Sequence, residues 1–258
     1  MKWFLGLLIA AVVVVALAVR LAPASLLPLA LAEIETRQLL PPNSPRLLLA
    51  ETQGTVWQGS AQAQLTLDGV TFSLGQLSWQ LDAFALLDRL AVLQVKAIAD
   101  DHRVSALVVA NEQGEVRINN LEGRFPISKL EPWIPMLVKG DIAFVVGQIV
   151  LQQQRLTSID GVLNLEYVDW LGGDRDMPLG SYMAQIYLQQ DNVQFQLNDF
   201  AASLGLDGLL SVAPSGVYTF KATLIPRQGL APEVIETIAW LGRRGANGEV
   251  TINKRGRF

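Results

Sequence analysis

Beyond Pro45 the chain alternates apolar and polar residues with a period of two. Ala61, Ala63, Leu65 and Leu67 interleave with Ser60, Gln62, Gln64, Thr66 and Asp68. The same rhythm returns in Leu77, Trp79 and Leu81; in Leu163, Leu165 and Tyr167; and in Ala184, Ile186 and Leu188. It appears again in Val193, Phe195 and Leu197 and in Tyr218, Phe220, Ala222 and Leu224. A two-residue period places alternate side chains on opposite faces of a strand, so each segment has one apolar and one wet face. Strands buried on both faces would read as unbroken Val/Ile/Leu runs, so the pattern predicts antiparallel sheet. Turn signals separate the segments: Asp68-Gly69, Asn111 to Gly114, Asp160-Gly161, Gly172-Gly173-Asp174, Asp207-Gly208 and Pro214-Ser215-Gly216. The fold class expected is mainly β, a curled antiparallel meander. On this register Gln62, Gln64, Gln194 and Gln196 face water.

Helical periodicity is scarce in the body. Pro232 to Leu241 carries Pro at its start, Glu233 at the positive end, a stripe of Val234, Ile235, Ile238 and Leu241, and Gly242 as a stop. Ile127 to Val138 is interrupted by Pro132 and Pro135 and predicts a broken helix, and Phe84 to Leu90 a short turn. One or two short helices cannot cover so many half-apolar strands, so the sheet is expected to curl and leave a groove-like apolar side.

The N-terminus is different in kind. From Trp3 to Val19 every residue is apolar or Gly6, between Lys2 and Arg20. As a helix this stretch reaches roughly 25 Å, and Leu21 and Ala22 extend it before Pro23 ends it. The domain reading is a membrane anchor over 1–22, a Pro/Leu-rich linker over 23–45, and a β-rich domain over 46–258. A cleaved signal peptide is the rival reading, because Ala16-Leu17-Ala18 and Ala30-Leu31-Ala32 resemble cleavage sites; the length of the apolar run argues against it. Lys2 on one side and Arg20 with Arg37 on the other leave orientation undecided by charge.

A near-repeat divides the body. Gly114-Glu115-Val116-Arg117-Ile118-Asn119 with Gly123-Arg124-Phe125 resembles Gly248-Glu249-Val250-Thr251-Ile252-Asn253 with Gly256-Arg257-Phe258. Either the meander is duplicated, with halves 46–138 and 139–258, or two amphipathic strands with a glycine coincide by chance.

Composition narrows the chemistry. A formal net charge of −4 over 258 residues, with scattered Lys and Arg, provides no phosphate-neutralising surface, so nucleic acid is not an expected partner. There is no cysteine, hence no disulfide, thiolate site or cysteine nucleophile. His102, the one histidine, stands between Asp101 and Ser105 in what reads as a surface turn, without a nucleophile elbow. Asp169, Asp174 and Asp176 match no calcium-loop spacing, and the glycine pairs lack a phosphate-loop context. No catalytic residue, cofactor or metal site is expected.

The block Gly54-Thr55-Val56-Trp57-Gln58-Gly59-Ser60-Ala61 has the form Gly-Thr-x-Trp-x-Gly-x-Ala. Around it stand Pro23, Pro28, Pro41 and Pro42 after the apolar segment, Leu74 to Trp79 some twenty residues on, Leu121 to Pro126 at mid-chain, and Gly256-Arg257-Phe258 at the end. In this order the features resemble the protein N family of the bacterial type II secretion system. The resemblance singles out Gly54, Thr55, Trp57, Gly59, Ala61, Trp79, Gly123 and Gly256 as structural landmarks, with Trp3 and Val19 bounding the anchor. It implies a non-enzymatic accessory protein of the inner membrane, N-terminus cytoplasmic and body periplasmic. Its implied partners are other secretion subunits and inner-membrane lipid. The residues themselves keep Gly54 and Gly59 as bends around a tryptophan that caps the apolar trough. The stretch Glu249 to Phe258, with Lys254, Arg255 and Arg257, reads as a sheet edge whose charge guards it or selects an acidic partner. A lipid-binding or lipid-bridging groove is the alternative the one-sided strands allow.

Overall fold

The computed structural model describes residues 21–37, 46–67, 69–131, 138–172, 176–200 and 202–257. The predicted anchor from Trp3 to Val19 lies outside them, as do Pro41, Pro42, Trp133, Asp174 and Phe258. Among the described residues no helix is long and apolar enough to cross a membrane. The chain is mainly β, with every named strand paired antiparallel, and by contact it divides into units Met1–Asp100 and Asp101–Phe258. This partition differs from the 46–138 and 139–258 halves, which rest on the near-repeat alone.

The first unit holds helix α1 (Leu26–Thr36) and strands β1 (Arg46–Gly54), β2 (Gln58–Leu67), β3 (Val70–Leu81) and β4 (Leu90–Ile98), in sequential order. Helix α1 occupies what the prolines made look like a linker. Pro28 falls in its first turn, where a missing N–H costs no helical bond, and the Leu- and Ala-rich remainder favours helix. In β2 and β3 the alternation is realised: Ala61, Ala63, Leu77 and Trp79 are buried while Gln62 and Gln64 are exposed. Ala24, Ala61 and Trp79 form a small core with Leu27, Leu49 and Leu93 against it.

The second unit contains β5 (Arg103–Asn111), β6 (Glu115–Pro126), β7 (Val138–Gln152), β8 (Arg155–Trp170), β9 (Met177–Gln189) and β10 (Asn192–Phe200). It continues through β11 (Leu204–Val212), β12 (Val217–Pro226), helix α2 (Pro232–Ala239), the two-residue β13 (Arg243–Arg244) and β14 (Val250–Arg257). Neighbours follow chain order until β14, which inserts between β12 and β13. Helix α2 has Pro232 in its first turn and Glu233 at its N-terminal end, as expected. Its Val234 and Ile238, 1% and 0% exposed, share one core with Leu204, Ala222, Leu224, Val250 and Ile252. Among the described residues the Ile127 segment makes a 3₁₀ turn over Ile127–Leu130.

Two expectations of register need correction here. Tyr167 does not continue the apolar face of Leu163 and Leu165: it is 76% exposed, with φ at +51°. The pairing with β9 slips between Leu165 and Val168, so an extra residue turns Tyr167 outward and brings Val168 and Trp170 into the core. Gln194 is not open to water either. It is 7% exposed, flanked across the ladder by Tyr187 and Ser211, and its Nε2 donates to Ser211 Oγ at 3.0 Å.

Candidate functional site

The Gly54 to Ala61 block is the hairpin joining β1 to β2. Gly54 has φ at +87°, a left-handed conformation that L side chains resist, and a Cβ there would lie 2.5 Å from the Gln58 carbonyl oxygen. Thr55 closes the turn: its N–H donates to Gln58 O at 2.8 Å, and its hydroxyl oxygen accepts from Gln58 N–H at 3.2 Å. Gly59 pairs directly with Trp79 on β3, whose ring fills the space a side chain would take; a Cβ on Gly59 would sit 2.6 Å from Trp79 Cζ2. Trp79 Nε1 then donates back to Thr55 O at 3.2 Å, so the buried indole satisfies its one polar atom on the turn it covers. Trp57 is half-buried, and its carbonyl accepts from Leu81 N–H at 2.6 Å. The ring that plugs the block is therefore Trp79, and Trp57 marks the turn itself.

The same hairpin receives the chain that precedes it. Pro23 bridges Thr55, Ala24 N–H donates to Gly54 O at 3.0 Å, and Val56 N–H donates to Ala22 O at 2.9 Å. Ala24 is 1% exposed beneath Ala61 and Trp79. The landmark glycines of the second unit repeat the glycine-under-ring device. Gly123 pairs with Phe144, which meets Phe125 edge-on at 6.1 Å, and Gly256 pairs with Tyr218. A Cβ on Gly123 would lie 2.7 Å from Phe144 Cε1, and one on Gly256 2.6 Å from Tyr218 Oη. Covering a strand glycine with a cross-strand ring restores the apolar contact that glycine lacks. These partners depend on register, so only the glycines themselves were legible in the sequence.

The polar groups weighed for chemistry are engaged otherwise. The His102 side chain is 6% exposed rather than on an open turn; its Nδ1 lies 2.6 Å from Asp101 Oδ1. The His102 hydrogen bond and then Lys129, at 3.0 Å, hold the Asp101 carboxyl below its ordinary value. Ser105 donates to Glu122 at 3.0 Å, away from His102. Asp169 and Asp176 converge on the Lys139 ammonium, which raises that lysine above its ordinary value chiefly through Asp176. Among the described residues no cluster of three potential metal ligands occurs. Burial pushes the Tyr182 phenol up, and its hydroxyl donates to Leu204 O at 3.0 Å. Burial also opposes ionisation of Asp199, but Arg227 at 2.6 Å and the Leu206 N–H outweigh it and hold that carboxyl below its ordinary value. A hollow of about 180 Å³ on the polar side of β2 to β4 is lined by Gln58, Ser78, Gln80, Gln94 and Lys96.

Fold and landmarks together define an antiparallel β-sheet protein whose signature residues close a hairpin and seat aromatic rings. Residues 45–253 match the family model described as type II secretion system, protein N, and the chain belongs to that family. It is an accessory component of the type II secretion system by that membership. The type II secretion system protein N of Pectobacterium carotovorum subsp. carotovorum is 24% identical over 221 residues, covering 82% of this chain and 84% of that protein. No solved structure matches.

Proposed function

We propose that this chain is a non-enzymatic inner-membrane component of the secretion system, tethered through residues 1–22 with its N-terminus in the cytoplasm and presenting its sheet in the periplasm to other subunits. The observation that carries this reading is the seat of residues 22–24 on the Gly54–Gly59 hairpin, which couples the chain following the predicted anchor to the sheet. The docking surface is the edge of β14. One side of β14 pairs with β12 along its length; on the other side β13 covers only Val250 and Thr251, so among the described residues Ile252 to Arg257 has no strand on the side away from β12. Arg243, Arg244, Lys254, Arg255 and Arg257 are all exposed along this edge. Such a cationic edge repels a second copy of itself and accepts an acidic extended segment by strand addition.

Topology is tested by a phosphatase reporter fused after Phe258, active only outside the cytoplasm, and by sequencing the mature N-terminus. A start at Val19 or Glu33 would sink the tether. Photo-crosslinking from position 255 should reach another secretion subunit, and charge reversal at Arg244 and Arg257 should remove the adduct. The lipid-groove alternative is supported by one feature: Leu188, Val193, Phe195, Leu210 and Val212 are only half-buried on the face whose other end α2 covers. Lipid co-purifying with the intact chain, and lost on Phe195→Asp, would favour it.

A further inference from the structure

One end of the first unit is apolar. The loop between β3 and β4 makes a 3₁₀ turn over Ala85–Asp88, and Asp82 fixes it by accepting from the Phe84 and Ala85 N–H groups at 2.8 and 3.3 Å. The tip turns its apolar side chains outward: Phe84 and Leu87 are each 81% exposed, with Leu86 at 39% and Leu90 at 36%. Four large apolar residues at one exposed tip are not explained by packing, since none of them belongs to the unit's core.

Topology brings the chain's own entry point to the same end. Leu81 N–H donates to Trp57 O and Asp82 N–H to Val92 O, so the tip extends just beyond the Thr55–Gln58 turn. Residues 24, 23 and 22 pair in turn with 54, 55 and 56, so tracing the chain backward from Ala24 leads past that turn and out at this end. Leu21, the next residue back, is 67% exposed. The predicted anchor, extended through Leu21 and Ala22, ends at this point.

We propose that this end of the first unit is a membrane seat, with Phe84 and Leu87 inserted into the interfacial region of the bilayer that the anchor spans. The inference rests on the tether reading and adds a second, independent point of contact. A single flexible attachment lets a domain swivel; an apolar finger beside the attachment fixes how the sheet stands on the surface. Aromatic and leucine side chains suit the headgroup boundary, and Asp82 and Asp88 outnumber Arg89 at the tip, so the attraction is apolar rather than electrostatic. Insertion should therefore be insensitive to salt.

The absence of cysteine permits single-cysteine labelling of the full chain in vesicles of phosphatidylethanolamine and phosphatidylglycerol. An environment-sensitive fluorophore is attached at Leu87→Cys, at Gln64→Cys on the wet face, and at Val12→Cys within the anchor. The expected result is a blue-shifted emission quenched by nitroxide lipids at positions 87 and 12, with position 64 unquenched, in low and high salt alike. Quenching at 12 but not at 87 overturns the seat and leaves the tether standing. No quenching at 12 overturns the tether and the seat with it. Equal quenching at 64 and 87 also overturns the proposal, because the sheet would then lie flat on the bilayer. A blue shift at 87 without lipid quenching assigns the tip to a contact with a second copy of the chain and overturns it too.

Discussion

Replacing Trp79 by alanine should be the most damaging single change in the first unit. The indole is 7% exposed, lies over Gly59 and donates to Thr55 O at 3.2 Å. Removing a buried tryptophan costs about 3–5 kcal/mol, and the orphaned carbonyl contributes to the upper part of that range. Trp79→Phe keeps much of the ring and loses the N–H, so it should cost about 1–2 kcal/mol. Gly59→Ala drives a methyl into the same ring, at 2.6 Å from Cζ2, and should cost about 1–3 kcal/mol. In the double variant the ring collision is gone while the clash with the Gln53 carbonyl remains, so the two changes should couple by about 1 kcal/mol. Trp57→Ala, at a half-buried position, should cost less than Trp79→Ala. Urea unfolding of the detergent-solubilised chain, followed by far-ultraviolet circular dichroism, measures all five. If Trp57→Ala proves the costlier tryptophan, or if Gly59→Ala and Trp79→Ala add without coupling, the glycine-under-ring account of the block is wrong.

Gln194→Glu should destabilise by about 2 kcal/mol, because the residue is 7% exposed and its Oε1 has no partner among the described residues, whereas Gln62→Glu should shift the midpoint by less than about 0.5 kcal/mol. Asp199 has a folded-state value below its ordinary one. Its stabilising pairing with Arg227 is therefore whole above about pH 4 and lost as pH falls through the depressed value. Thermal midpoints of Asp199→Asn should lack that acid limb. Ile238→Ala, at a position 0% exposed, should cost about 2–4 kcal/mol in the same urea titration and release α2 from the second unit's core.

Particular residues show where the sequence was sufficient. Ala61, Ala63, Leu77 and Trp79 sit on the apolar face their alternation predicted, and α2 starts and stops where Pro232, Glu233 and Gly242 placed it to within two residues. The rhythm failed at Tyr167 because a bulge adds one residue to one strand, and nothing in composition marks which strand takes it. It failed at Gln194 because burial on a wet face comes from the neighbours across the ladder, Tyr187 and Ser211, which only the register supplies. The block was legible as glycines around a tryptophan, but its plugging ring comes from twenty residues downstream. Helix α1 was hidden by Pro28, whose position in a first turn is compatible with helix although its presence reads as linker.

The seat of residues 22–24 on the hairpin also sets how the protein yields under load. Two backbone hydrogen bonds of about 1 kcal/mol each, with one small buried side chain, give this attachment an opening free energy of roughly 2–3 kcal/mol, well below that of a folded domain. Under the tether proposed above, this attachment is the first contact expected to open. Pulling on the N-terminal chain should first peel Ala22 and Ala24 from Val56 and Gly54 while β1 to β4 stay folded. When the pull is relaxed, the exposed hairpin edge should recapture the chain, making the opening reversible.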